Sequence, residues 1–359
     1  MFGMVAARIQ KSMLSPADLV KRQLTLTTDR IHALPIVVLM PHSRCNCRCV
    51  MCDIWKGNRD QRELTRDDLA PHLEALRRWR TKWVVLSGGE ALMHSNLWAL
   101  CELLRKELDC RITLLSTGLL LRRWAGEVTR WCDEVIVSLD GPRSVHDEIR
   151  DVPRAYDKLA DGVLALRERV ADYQVTARCV VQRRNFRDLT RVVDAARSLE
   201  LDRVSFLAAD VSTPAFNRPR GWDGERVADV ALSSEEAEEL AEVVEAMIAE
   251  RARDFDSGFI AESPDKLRRL VAYFRALCGG GEFPPVACNA PWVSAVVEAD
   301  GAVRPCFFHR VLGNVHEQPV EEILNSPGAI AFRRGLDVAS DPICRKCVCT
   351  LRLGRFEDV

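Results

Sequence analysis

The chain has 359 residues, 47% of them hydrophobic, which allows one large or two medium domains with a real core. Its 51 basic and 52 acidic residues give a formal net charge of −1, so there is no global electrostatic footprint for nucleic acid, and arginine-rich runs such as 76–80 read as solvated helix faces. No run of about 18 apolar residues occurs, so no membrane span is expected. Residues 1–20 lack the long apolar core of an export signal and read as part of a helical extension over 1–33 of a cytoplasmic protein.

From 34 to 210, short β-branched runs alternate with amphipathic stretches. Strands are predicted at 34–40, 83–87, 111–116, 134–140, 175–181 and 203–208, with helices at 65–79, 97–108 and 186–200. Thr65, Asp67 and Asp68 suit a helix start. Six such units argue an α/β fold with a parallel sheet and right-handed crossovers, whose ligands gather at the carboxyl ends of the strands. Residues 211–231, rich in Pro, Gly and charge, read as a long loop over the sheet's mouth, with Phe216, Arg218, Arg220 and Trp222 as its covering side chains. Helices follow at 233–253, capped at Ser233 or Ser234, and at 264–277, so that 211–284 forms a linker of loop and helices. Beyond it, 285–359 reads as a small C-terminal α+β domain. It holds a hairpin turning at Asp300–Gly301 and short helices at 319–325 and 328–335.

Fourteen cysteines without an export signal point to reduced thiols and metal ligation rather than disulfides. Cys45, Cys49 and Cys52 follow the first strand with the spacing C-x3-C-x2-C. Three thiolates on one short loop can hold three irons of a cubane [4Fe–4S] cluster and leave the fourth iron open, where a fully ligated cluster uses four cysteines. An open coordination position is what a catalytic metal keeps for its substrate or cofactor. "SGGE" ends the second strand. Gly88 and Gly89 let backbone approach a ligand closely, and the Glu90 carboxylate can pair with a cation. "LLSTG" and "VSLDG" place Ser116 and Ser138 at the ends of the third and fourth strands.

These motifs resemble the radical S-adenosylmethionine superfamily over roughly 34–210, and the subgroup with a C-terminal twitch (shortened SPASM) cluster domain over about 285–350. The resemblance implies a partial (β/α)6 barrel, with Cys45, Cys49 and Cys52 as ligands of the cluster that chelates S-adenosylmethionine. It places Glu90 at the methionine amino group, Gly88, Gly89 and Ser116 along the bound cofactor, and Ser138 at its ribose. Arg178 or Gln182, by position around the fifth strand, would contact the cofactor's carboxylate or the substrate. Reductive cleavage would then yield methionine and a 5′-deoxyadenosyl radical that abstracts hydrogen from an unactivated carbon, the cofactor carrying the hard chemistry and the protein positioning it. Two departures stand out. Met51 occupies the position before the third cysteine where the family often has an aromatic residue, and the sixth strand lacks the apolar–glycine motif some members place around adenine. Cys47 is an extra thiol inside the loop, expected to point away from the cluster.

Cys288 and Cys306 flank the hairpin as C-x12-G-x4-C, and Cys344 and Cys347 form C-x2-C, with Cys349 left over. By spacing alone this set also fits a four-thiolate zinc site. The resemblance implies instead one auxiliary [4Fe–4S] cluster on Cys288, Cys306, Cys344 and Cys347. The function it implies is oxidation, crosslinking or cyclisation of a small molecule or peptide, with the auxiliary cluster accepting an electron and a reducing partner such as flavodoxin or ferredoxin supplying one. The alternatives are a redox-neutral epimerase or isomerase using a cysteine hydrogen donor and, from another class, a zinc-binding non-enzymatic module.

Overall fold

The computed structural model describes residues 15–354; most of the extension expected over 1–33 therefore lies within it, and residues 1–14 fall outside. Six strands come in the expected order: β1 Ile36–Leu39, β2 Trp83–Leu86, β3 Arg111–Ser116, β4 Glu134–Ser138, β5 Gln174–Val181 and β6 Arg203–Ala208. Each pairs in parallel with the next. Both faces are buried, and side chains alternate between them with the two-residue period of a strand. Val37, Leu39, Val84 and Leu86 face the helices with the main core. Ile36, Val38, Trp83 and Val85 face inward with Phe307 and Phe308. The base of the barrel is plugged by a polar relay: the Trp83 indole donates to Thr113 Oγ1 at 2.8 Å, Thr113 donates to Glu134 at 2.7 Å, and Glu134 pairs with Arg111, whose guanidinium lies over Trp83. The lumen therefore opens at the carboxyl ends of the strands.

The helix expected over 65–79 is broken. Thr65 and Asp68 form a capping box, but Pro71, which lacks an N–H, splits the segment into Arg66–Leu69, a 3-10 turn Ala70–His72 and Leu73–Arg78. Ser233 caps Ser234–Glu250 reciprocally with Glu236.

The C-terminal hairpin does not form a detached sheet. β7 Ser294–Val297 pairs in parallel with the free edge of β1, and β8 Ala302–Arg304 and β9 Gly313–Asn314 continue antiparallel. One nine-stranded sheet results, ordered β6-β5-β4-β3-β2-β1-β7-β8-β9. The turn at Asp300–Gly301 sits as expected, with Gly301 at φ +81° and an added Cβ there only 2.4 Å from Asn314 Oδ1. The N-terminal helix Pro16–Thr28 runs into a segment stapled to the C-terminal helices, since the Asn325 amide bonds both the N–H and the C=O of Ile31. Among the described residues, no helix is long and apolar enough to cross a membrane.

Deleting residues 285–359 is expected to leave β1 as an exposed apolar edge and to drive aggregation or lower the melting temperature by roughly 10 °C or more. A thermal melt followed by circular dichroism checks this, and a truncated chain that melts with the full one would refute it.

Candidate active site and metal centres

The cysteine loop has little regular structure, so its backbone groups need partners from elsewhere. Cys45 exchanges two bonds with the Asn58 amide, at 2.8 and 2.9 Å. Arg48 and Val50 donate their N–H groups to the carbonyls of Arg150 and Ile149, at the end of the helix Arg143–Arg150. The segment expected as a loop over 211–231 ends instead in a helix, Gly224–Val230, capped by Asp223, and completes the clamp: the Trp222 indole donates to Asp53 at 2.8 Å, Asn217 donates to Asp53 C=O at 3.2 Å, and the Arg226 guanidinium, on that helix, reaches Val50 C=O. Of the expected covering side chains, Phe216 faces the site, Arg218 is buried in an ion pair with Asp210, and Arg220 is exposed.

Cys45, Cys49 and Cys52 open together onto a cavity of about 220 Å³ at the carboxyl ends of the strands, with Gly88, Gly89, Ser116, Thr117 and Ser138 in its wall. Three thiols converging on one open space fit a cluster with an unligated iron. Arg150 donates to Cys49 Sγ at 3.5 Å and pairs with the fully buried Asp140. A hydrogen bond from Cys47 pulls the Cys49 thiol down to about 7, burial opposing and Arg150 assisting. Burial, with the charge of Cys49, pushes Cys52 up to about 12; binding iron would release these protons. Cys47, the extra thiol, does not line this cavity. It is buried with its thiol in hydrogen-bond contact with both Cys45 and Cys49.

The two glycines differ in role. Gly88 takes φ +108°, open to glycine at little cost. Gly89 is pressed against the cysteine loop: an added Cβ would lie 2.1 Å from the Arg44 carbonyl oxygen, which also accepts the Glu90 N–H at 2.8 Å. The Glu90 carboxylate lies behind the wall rather than on it. It is fully buried and accepts from Ser116 Oγ, from the Thr117 N–H and hydroxyl, and from the Leu92 N–H. Burial raises its pKa, with the Thr117 bonds opposing.

Cys288, Cys306, Cys344 and Cys347 surround a second, tighter cavity of about 30 Å³, and Cys349 and His309 line it with them. Five thiols there exceed the four that close a cubane. Cys349, Phe307 and Phe308 also line the first cavity, so the two spaces share a wall. Sequence reasoning did not single out His309, whose Nε2 lies 3.3 Å from Cys344 Sγ and 3.9 Å from Asp341. It also passed over Arg150, Phe307 and Phe308. The run "HDEIRD" behind "VSLDG" is the signal that could have found Arg150. Gln182 does not line the first cavity; Arg178 does.

Gly89→Ala is expected to leave the fold intact but to push out the cysteine loop, costing the iron held by Cys45, Cys49 and Cys52 and sparing that at the C-terminal thiols. Iron analysis beside circular dichroism measures it, and an unchanged iron content would show that the backbone contact is dispensable.

The radical SAM superfamily family model matches residues 39–196, and that of an SPASM iron–sulfur cluster-binding domain matches residues 288–348. The chain is 24% identical to the Fe-coproporphyrin III synthase of Methanosarcina barkeri over 318 residues, covering 80% of this chain and 73% of the relative. It is 26% identical to the AdoMet-dependent heme synthase of the same organism over 309 residues, covering 81% of each. Its fold is similar to that of Streptococcus suis SuiB, solved bound to S-adenosylmethionine, with a TM-score of 0.63 at 15% identity over 91% of this chain and 74% of that one. The same protein bound to precursor peptide SuiA superposes with a TM-score of 0.61 at 14% identity over 93% and 75%. By these matches, and by the parallel sheet with thiols at its carboxyl ends, the chain belongs to the radical S-adenosylmethionine superfamily and carries an SPASM iron–sulfur cluster-binding domain at its C-terminal end.

Proposed function

We propose that the chain oxidises a small, carboxylated molecule of the tetrapyrrole class, held between its two sets of thiols. The cofactors of this architecture are S-adenosylmethionine, the [4Fe–4S] cluster that binds it and auxiliary iron–sulfur; when bound, they supply a 5′-deoxyadenosyl radical that can take hydrogen from carbon. The observation that carries the reading is the shared wall. One cavity is lined by Cys45, Cys49 and Cys52 and also by Cys349, Phe307 and Phe308, which line the C-terminal thiol cavity too. A substrate there is within reach both of the radical source and of an electron acceptor, which suits dehydrogenation, crosslinking or cyclisation. Cys288, Cys306, Cys344 and Cys347 would hold one auxiliary cluster.

The chain's own residues supply position and dryness. Leu115, Ile136, Val180 and Leu207 line the lumen with apolar groups, which excludes water from a reactive centre. Phe216 and Phe308 meet edge to face at 6.0 Å, between this cavity and an outer one of about 380 Å³. A flat aromatic ring could rest there with one side arm inside. The tetrapyrrole class is supported by the names of the two M. barkeri relatives; the likeness to peptide-bound SuiB supports a peptide as the second reading. Electrons would come from a flavodoxin- or ferredoxin-type donor, in a reducing cytoplasmic setting that suits fourteen cysteines, none of them in a disulfide. The redox-neutral route would use Cys349 as hydrogen donor, because it lines the substrate cavity, and would bring solvent deuterium to a substrate carbon.

Anaerobically reconstituted protein is expected to bind roughly eight irons per chain, as two cubanes require. With a chemical reductant it should release 5′-deoxyadenosine faster when iron coproporphyrin III is added. Replacing Cys45, Cys49 and Cys52 together by alanine should abolish that release while keeping iron at the C-terminal thiols. Three irons or fewer per chain, or a colourless zinc-loaded protein, would sink the reading.

A further inference from the structure

Three buried arginines among the described residues have fixed partners. Arg150 pairs with Asp140, Arg218 with Asp210, and Arg333 donates to the carbonyls of Asp29 and Leu324. Arg178, half-buried on the cavity wall, differs from them. It stands on β5 in register with Ser138 of β4 and Ser205 of β6, an inward polar layer beneath the apolar Val180 and Leu207. Its guanidinium lines the first cavity, yet its Nε is buried without a hydrogen-bond partner. The charges it feels are Glu262 and the Cys349 thiol, and burial lowers its pKa. Glu262 is already engaged, accepting the Phe206 N–H at 2.8 Å and pairing with Lys266 at 3.5 Å. A half-buried guanidinium with no hydrogen-bond partner at Nε favours an incoming anion, and its forked donors match a carboxylate.

We propose that Arg178 is the binding group for a substrate carboxylate, which it holds on the auxiliary-domain side of the cavity. This rests on that cavity being the substrate chamber. The cofactor's methionine also carries a carboxylate, but geometry separates the two sources. Two arginines line the cavity: Arg150 touches Cys49 of the first cysteine loop, whereas Arg178 feels the Cys349 thiol, which lines the same cavity. Glu90 follows β2, three strands from β5 in the sheet. The anion reaching Arg178 therefore enters with the substrate, its reacting carbon lying toward the radical source.

The test uses reconstituted holoenzyme carrying Arg178→Gln or Arg178→Lys. S-adenosylmethionine binding and substrate-free 5′-deoxyadenosine release are expected to stay within about twofold of wild type. Binding of metal-free coproporphyrin III, read by its fluorescence, is expected to weaken about tenfold or more in Arg178→Gln and to recover partly in Arg178→Lys. Its tetramethyl ester should bind wild type and Arg178→Gln alike. If coproporphyrin III binds no form of the enzyme, the tetrapyrrole reading fails, and the carboxylate site is judged with glutarate and benzoate. Melting of wild type but not of Arg178→Gln shifted upward by them sustains the proposal; no shift of wild type overturns it. Weakened S-adenosylmethionine binding in Arg178→Gln would assign the anion to the cofactor and overturn it. So would a variant melting about 5 °C or more below wild type, which would make Arg178 a structural partner of Glu262.

Discussion

β1 carries the architecture because it is hydrogen-bonded on both edges. Its four residues pair with β2 on one side and with β7 on the other. The strand's carboxyl end releases the loop that bears Cys45, Cys49 and Cys52, and its inward side chain Val38 lines the cavity of the C-terminal thiols. Two sites that could have been hung on separate domains are thus fixed to one four-residue strand. Their relative position is set by a backbone ladder rather than by a domain interface, and parallel ladders tolerate no register slip without turning every buried side chain to the wrong face.

The cysteine loop poses the opposite problem. A cluster site needs thiols free of secondary structure, yet buried backbone must be bonded. The solution comes from partners outside the loop: the Arg150 and Ile149 carbonyls, the Asn58 amide, and Trp222 and Arg226 from the loop and helix after β6. Gly89 then sets how closely the β2 turn can approach. The loop after β6 works less as a free cover than as a brace. Phe216 and Asn217 sit at φ +58° and +63°, a left-handed conformation that non-glycine residues adopt at a cost of order 1 kcal/mol or more, which the surrounding contacts must offset.

The six parallel strands, the capping boxes at Thr65 and Ser233 and the hairpin turn at Gly301 are legible in the sequence because each rests on a local signal. So is the meeting of the three cysteines with Gly88, Gly89, Ser116 and Ser138, since strand ends of a parallel sheet share one side. The β1–β7 pairing joins residues such as Ile36 and Ser294 with no local trace. Glu90 shows the same limit at one side chain. "SGGE" reveals a carboxylate at a strand end, but the donors that turn it behind the wall, Ser116 and Thr117, lie 26 and 27 residues further on. Pro71 was readable, and it breaks a helix whose amphipathic spacing alone looks continuous.

The buried charges help to hold the cavity's wall rigid. Asp140–Arg150 and Asp210–Arg218 are ion pairs taken out of water, and such pairs add little net stability over apolar packing. Their value is directional. Asp140 accepts the Val180 N–H at 3.1 Å, and Arg218 donates to the carbonyls of Asp210 and Ala215, so each pair nails an irregular segment to a strand end beside the cavity. Breaking either would leave a buried charge alone, which makes the alternative loop positions expensive. That penalty favours one wall geometry over flexibility, which matters wherever reacting groups must be oriented, because small misplacements there are costly.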